Sequence, residues 1–189
     1  MFKLVVYIQK ICRLVYSLGV TLPMKRKKDT VIMGSSFVSK DTRIGDYSYI
    51  GYNCFITKAE IGRYVSIANG VMIGQGEHDL SHISNSSLFY DNPYDILTER
   101  KCIIESDVWI GAGSIIRRGI TIGTGAVIGA NSFVNKDIPP YAVAVGSPAK
   151  VIKYKFSPTQ IKLILSSKWW ENDFEEACNV IEKIQMSYE

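Results

Sequence analysis

The segment Ile104-Glu-Ser-Asp-Val-Trp-Ile110-Gly-Ala-Gly-Ser-Ile-Ile116-Arg-Arg-Gly-Ile-Thr-Ile122-Gly-Thr-Gly-Ala-Val-Ile128-Gly-Ala-Asn-Ser-Phe-Val134 decides the fold. An aliphatic residue returns at every sixth position, from Ile104 through Ile110, Ile116, Ile122 and Ile128 to Val134. An earlier block keeps the same beat at Ile32, Val38, Ile44, Ile50 and Ile56, slips by one residue, and resumes at Ile61, Ile67 and Ile73. This period fits neither the 3.6-residue helix nor the two-residue strand. Fixed-period self-similarity marks a repeat architecture, and a hexapeptide period belongs to parallel β-helices.

The chemistry of the repeat agrees. Four residues after the aliphatic stands a small or apolar side chain, as at Ser48, Cys54, Val65, Val71, Ser114, Ala126 and Ser132. Both positions point inward if each hexapeptide is one short strand plus a turn, and three hexapeptides then make a triangular coil. Stacked coils hydrogen-bond as parallel strands about 4.8 Å apart. The glycines after the aliphatics (Gly45, Gly51, Gly62, Gly74, Gly111, Gly123, Gly129) are expected to give a tight corner its backbone freedom. The fourteen repeat positions predict between four and five coils of an all-β solenoid. The period carries no information about the hand.

The breaks in the beat divide the chain. Residues 1–30 hold an amphipathic helix over 2–18 and the basic run Lys25-Arg-Lys-Lys28. That helix either caps the open end of the coil or lies on an anionic membrane surface, with residues 2–28 making peripheral contact. Residues 31–156 form the solenoid, interrupted at 79–101 by a segment rich in Ser, Asn, Asp and aromatics. It reads as an unstructured excursion loop, and long insertions of that kind tend to be functional. Pro139-Pro140 and Pro148 end the beat. Residues 157–189 turn helical, with Ser157 as N-cap, Pro158 at the first position, and a second helix over 173–186 that turns Phe174, Ala177, Val180, Ile181 and Ile184 inward.

Bulk properties narrow the function. A net charge of +4 is mild and suits an anionic small ligand better than a nucleic-acid partner, which usually leaves a clustered basic footprint. Cys12, Cys54, Cys102 and Cys178 are far apart without zinc spacing and read as reduced thiols of a cytoplasmic protein, on the inner face of the membrane if the helix binds lipid.

The segments Asp107-Val-Trp-Ile-Gly-Ala-Gly113, Ile122-Gly-Thr-Gly-Ala-Val-Ile-Gly-Ala130, Lys136-Asp-Ile-Pro-Pro140 and Gly146-Ser-Pro-Ala-Lys150 resemble the hexapeptide-repeat acetyltransferases. Lys168-Trp-Trp170 is similar to the xenobiotic branch, which includes streptogramin and chloramphenicol acetyltransferases; the N-terminal helix and the loop resemble bacterial polysaccharide O-acetyltransferases. The resemblance implies a left-handed parallel β-helix, a homotrimer, acetyl-CoA as donor, and active sites between neighbouring subunits. It also implies that Ala112 and Ala130 line the CoA groove, and that Asn135, Lys136, Lys150 and Lys153 lie near the nucleotide and phosphates of CoA; Trp109 reads as either structural or groove-lining.

Catalysis needs a base that works near neutral pH. The chain has two histidines, and His78 stands at the mouth of the excursion loop. Gly76-Glu-His-Asp79 and Ser84-Asn-Ser-Ser-Leu-Phe-Tyr90 resemble the family stretch around the catalytic His, with Asp79 and Asn85 in place of a Pro and a Thr. An imidazole can take a proton from an attacking hydroxyl and return it to the leaving thiolate. Glu77 or Asp79 could orient it. Tyr52 and Asn53, with Phe89 and Tyr90 of a neighbour's loop, form the expected acceptor surface. The expectation is an acetyl-CoA-dependent O-acetyltransferase acting on a sugar hydroxyl of a bacterial surface polysaccharide or its precursor. Antibiotic acetylation is the alternative, and the acceptor stays open between a sugar and a small molecule. No metal is expected: a zinc site of the γ-carbonic anhydrase kind needs three His ligands.

Overall fold

The computed structural model describes residues 24–25 and 29–187. The expected N-terminal helix and most of the basic run lie outside the described residues.

The chain winds as a left-handed parallel β-helix with three flat faces. Sheet A stacks β2 (Val31–Ile32), β5 (Tyr49–Ile50), β8 (Ser66–Ile67), β11 (Trp109–Ile110), β14 (Val127–Ile128) and β16 (Ala142–Gly146). Sheet B stacks β3 (Phe37–Val38), β6 (Phe55–Ile56), β9 (Met72–Ile73), β12 (Ile115–Ile116) and β15 (Phe133–Val134). Sheet C holds β4 (Arg43–Ile44), β7 (Ala59–Ile61), β10 (Cys102–Ile104) and β13 (Thr121–Ile122), and Ile138 extends it by a single bridge to Ile122. Sheet A is closed at both ends by antiparallel strands, β1 (Met24–Lys25) on β2 and β17 (Ala149–Tyr154) on β16. Five coils are complete and β16 opens a sixth, more than the aliphatic count predicts. The beat loses its last two members because Ile138 comes after only four residues and Ala144 is small.

The register brings the aliphatics into columns: Ile50 on Ile67, Ile67 on Ile110, Ile110 on Ile128. All four are fully buried, as are Ile56, Ile73, Ile116, Ile122 and Val134. The expected inward serines are buried and satisfied by the adjacent coil. Ser48 Oγ donates to the Gly62 carbonyl (3.1 Å) and Ser114 Oγ to that of Gly129 (2.9 Å), while Cys54 Sγ donates to Ala68 O (3.1 Å). A buried hydroxyl with a partner costs little.

Gly74 takes the left-handed backbone expected of it (φ 63°), but the other glycines after an aliphatic serve another purpose. The left-handed backbone falls three residues after the aliphatic, at Ser35, Tyr47, Asn53, Tyr64, Asp107 and Asn131. The glycine directly after the aliphatic is required by close approach of the next coil. A Cβ on Gly111 would lie 2.5 Å from Ala130 N, and one on Gly45 2.5 Å from Gly62 C. Both obstacles are backbone and cannot move aside.

The excursion leaves the coil at Gly74 and rejoins it at Cys102. It is structured: a 3₁₀ turn spans Ser87–Phe89 and a short helix, α1, spans Pro93–Leu97. The C-terminal helices α2 (Pro158–Ser167) and α3 (Phe174–Met186) form as the sequence predicts. Ser157 and Gln160 exchange reciprocal capping bonds. Ala177 is buried and Val180, Ile181 and Ile184 pack inward. Phe174, expected inward, is 61% exposed because it opens the helix beyond the edge of the contact.

These helices dock on the corner between sheets C and A. Tyr47 stacks on Tyr64 (4.8 Å between centroids), and Tyr64 meets Trp169 at 5.2 Å. The Arg63 guanidinium (2.8 Å) and the Tyr64 hydroxyl (2.9 Å) both donate to the Asn172 carbonyl. Trp169 is therefore a docking residue. Between corner and helices lies a cavity of 280 Å³ lined by Ile164, Trp169, Ile181, Tyr141, Lys155 and Asp107. Burial pushes the Asp107 carboxyl up to about 6, against the opposing pull of Lys155.

A carboxyl whose folded pKa is raised contributes stability below its ordinary value near 3.8, and that contribution is lost as pH climbs through about 6. Asp107→Asn should therefore stabilise the protein at pH 7.5. The gain should be about 1–2 kcal/mol once partial exposure is discounted. It should fade to nothing at about pH 3, where the carboxyl is protonated in both the folded and the unfolded chain. Thermal unfolding of both proteins at the two pH values measures this.

Candidate active site

The site is built where the solenoid is interrupted, at the corner between sheets B and C. The other corners between sheets B and C carry Ser39, Thr57, Gly74 and Asn135 directly after the aliphatic; Ile116 is followed by Arg117 and Arg118. Arg118 is buried. Its guanidinium donates to the carbonyls of Thr57, Lys58, Gly74 and Arg100. One side chain thus ties an earlier coil to both ends of the excursion. Desolvation lowers its pKa, but arginine starts so high that it stays charged.

Arg117 grips Glu77 with Nε at 2.6 Å and Nη2 at 2.8 Å, and Arg100 adds a third contact at 3.1 Å. This is a bidentate, charge-assisted pair, the stronger kind of hydrogen bond. The short helix is fastened separately. The Tyr94 hydroxyl donates to the Asp41 carboxylate at 2.9 Å, and Lys58 pairs with Asp95 at 3.2 Å.

His78 comes out of this base exposed, at the rim of a cavity of 570 Å³. Glu77, Asp79, Arg100 and Arg117 line it, with Ile96 and Leu97 of α1 as the apolar side. Neither carboxylate considered for orienting the imidazole hydrogen-bonds to it. Glu77 is held by the arginines. Asp79 accepts from Ser81 N at 2.9 Å, which keeps its carboxyl below the ordinary range, and lies 3.7 Å from His82 Nε2. The ring that touches His78 is Tyr90, centroid to centroid 6.1 Å; His82 lies 4.8 Å from the same ring. Tyr90, expected on the acceptor surface, is instead buried, and its hydroxyl has no hydrogen-bond partner among the described residues. Phe89 stays exposed.

The remaining expected site residues fall on other edges. Ala112 and Ala130 are exposed, on successive coils of the A–B corner, where Asn131 N donates to Ala112 O at 2.8 Å. Tyr52 and Asn53 occupy the same corner further back, and Tyr52 N is held by Asn69 Oδ1 (2.9 Å). Trp109, Val127, Val143 and Lys153 follow one another in register across sheet A, with Lys150 on the same outer strand. Asn135 and Lys136 stand across sheet B, at the B–C corner beyond Arg117. Within one chain, the Ala112–Ala130 groove and His78 lie on opposite edges of sheet B. The arginine–carboxylate base escapes a search for catalytic residue types; its signal is the paired arginines in a corner where other repeats place uncharged residues, Ser39, Thr57, Gly74 and Asn135.

The family model for the bacterial transferase hexapeptide (six repeats) matches residues 101–136. A probable macrolide acetyltransferase from Lysinibacillus sphaericus is 33% identical over 72% of the chain and 79% of that protein. A chloramphenicol acetyltransferase from Klebsiella aerogenes is 36% identical over 64% of the chain and 63% of its own length. A galactoside O-acetyltransferase from Lactococcus lactis is 32% identical over 68% and 59%. The crystal structure of a hexapeptide-repeat acetyltransferase from Vibrio cholerae in complex with acetyl coenzyme A superimposes with a TM-score of 0.52. The two are 30% identical, over 65% of this chain and 64% of that one. The chain belongs to the hexapeptide-repeat acetyltransferases. It spans between 58% and 63% of the length of the chloramphenicol acetyltransferases it matches.

Replacing Arg118 by Leu should free the excursion while leaving the coil wound, because the loop ends lose their shared donor. Limited proteolysis within residues 79–101 should speed up about tenfold or more, the effect of about 1.4 kcal/mol on local opening. The far-ultraviolet circular dichroism spectrum should be unchanged.

Proposed function

We propose that this protein is an acetyl-CoA-dependent O-acetyltransferase, with His78 as general base and a sugar hydroxyl of a bacterial surface polysaccharide or its precursor as acceptor. The carrying observation is the placement of His78 at the rim of a cavity whose lining is dominated by charged side chains. Such a lining suits a polyhydroxylated acceptor better than an apolar drug. The acceptor oxygen attacks the thioester carbonyl carbon while the imidazole takes its proton. The tetrahedral intermediate then collapses, the carbon–sulfur bond breaks, and the imidazolium returns the proton to the CoA thiolate.

CoA is assigned to the A–B corner. Gly111, Ala112, Gly113 and Ala130 leave no side chain beyond Cβ there, so a pantetheine arm can lie against the backbone. Trp109 borders this groove. Lys150 and Lys153 on β17, with Asn135 and Lys136 from the next corner, are assigned to the nucleotide and phosphates, as ammonium groups suit phosphate oxygens. Tyr52, Asn53 and Phe89 are assigned to the acceptor, and Tyr90 supports His78 from beneath. Because groove and base lie on opposite edges of sheet B, the reading requires a homotrimer in which one chain's groove faces a neighbour's His78. The outward row Phe37, Phe55, Met72 and Ile115 on sheet B, each between 39% and 55% exposed, supplies an apolar surface for that contact. The free thiols of Cys54, Cys102 and Cys178 suit the cytoplasm.

Antibiotic acetylation is the second reading, favoured by the likeness to chloramphenicol and macrolide acetyltransferases. The test is acetyl transfer to chloramphenicol and streptogramin A against transfer to polysaccharide repeat units, followed by release of CoA thiol. His78→Ala should lower turnover of the true acceptor by about 10²–10⁴, the usual contribution of a general base. Survival within about tenfold contradicts the assignment.

A further inference from the structure

The reading of His78 as the base for a sugar acceptor leaves a second cavity unused. It measures 470 Å³ and lies on sheet C toward the C–A corner. Arg43, Glu60, Ile103, Glu105, Thr124 and Trp170 line it. Trp170 is only partly buried, edge-on to the buried Trp169 at 5.9 Å. Trp170 also packs against the docking core, and it lines the groove as well.

The two cavities share a strand. Arg100 lines the first; Ile103, Ile104 and Glu105 line the second. The chain between them is Lys101 and Cys102, so the nearest linings are separated by on the order of 10 Å, at about 3.3 Å per extended residue. The face that connects them is mostly polar. Sheet C turns Arg43, Glu60, Thr121 and Asp137 outward, with Ile103 as the aliphatic member of the row, where sheet B shows aromatic and aliphatic residues.

The groups are also held ready. Glu105 Oε2 accepts from both Thr124 N (2.7 Å) and Thr124 Oγ1 (2.8 Å), and Glu60 lies 3.7 Å from Lys101. Three carboxylates, Glu60, Glu105 and Asp137, outnumber two cations, Arg43 and Lys101. That excess disfavours a polyanion. It suits a ligand rich in neutral hydroxyls, which carboxylate and guanidinium groups engage in pairs. A flat indole is the partner that the apolar face of a pyranose ring needs.

We propose that the outer face of sheet C is a track for an oligosaccharide, with the reacting sugar at His78 and the chain crossing the sheet to stack a distal ring on Trp170. The proposal rests on the sugar reading given above and adds that the acceptor is a chain of several units.

The test is a series of mono- to hexasaccharides of glucose, galactose and N-acetylglucosamine, supplied with acetyl-CoA and followed by CoA thiol release. The readout is the ratio of kcat/KM for a tetrasaccharide to that for its monosaccharide. In the wild-type enzyme the ratio should be about tenfold or more, corresponding to about 1.4 kcal/mol of added binding. Trp170→Ala should reduce it to within about twofold, and Trp170→Phe should retain most of it, since the ring face persists. General damage to the fold lowers both rates and leaves the ratio alone. A ratio near one in the wild type, or one unchanged by Trp170→Ala, overturns the track while leaving the sugar reading intact. Failure to acetylate a saccharide of any length overturns the sugar reading, and the track with it.

Discussion

Every feature of this molecule depends on the hydrogen-bonded contact between one coil and the next. Strands of two residues are too short to hold a sheet by themselves. They persist because each is paired above and below, and because the aliphatics at the same register form an unbroken core. The contact is close enough that the glycine after the aliphatic meets the backbone of the next coil. This closeness exposes carbonyl and N–H groups at the corners without intervening side chains. It also makes the corners repeat in space, so residues one coil apart in sequence become neighbours on one edge.

The proposed base, His78, is placed where that repetition is interrupted. The excursion after Ile73 needs an anchor, and Arg118 provides it through four carbonyls. The Glu77 clamp then stiffens the base from which His78 emerges. A catalytic imidazole on a long insertion would be poorly positioned without such fastening, since ordering a loop costs about 1–2 kcal/mol per residue in backbone entropy. The C-terminal helices solve a different problem: they cover the aromatic ladder of the C–A corner and leave Trp170 beside the polar sheet.

Much of this was legible in the sequence. The hexapeptide beat carried the coil, its inward positions and the limits of the excursion, because core spacing is a direct consequence of the winding. Ser157 and Pro158 marked the helix start through capping chemistry that is local. What escaped was non-local. The role of the glycines depended on which backbone faces them from the next coil, and the left-handed residue proved to be two positions later. Arg118 reads as one more surface arginine until the ends of the loop are seen to converge on it. Tyr90 looked like an exposed aromatic of a polar loop, and only the folded excursion puts it under two imidazoles. The hand of the coil came from resemblance alone, since a period has no chirality.

The central claim is that the donor groove of one chain works with His78 of another. Mixed assembly tests it most directly. His78→Ala lacks the base, and Ala130→Trp blocks the groove; each should be inactive alone. Unfolding the two together and refolding them as mixed oligomers should restore activity, because some interfaces then join an intact groove to an intact His78. If mass spectrometry shows mixed oligomers and activity stays absent at every ratio, the site is contained within one chain and the account is wrong.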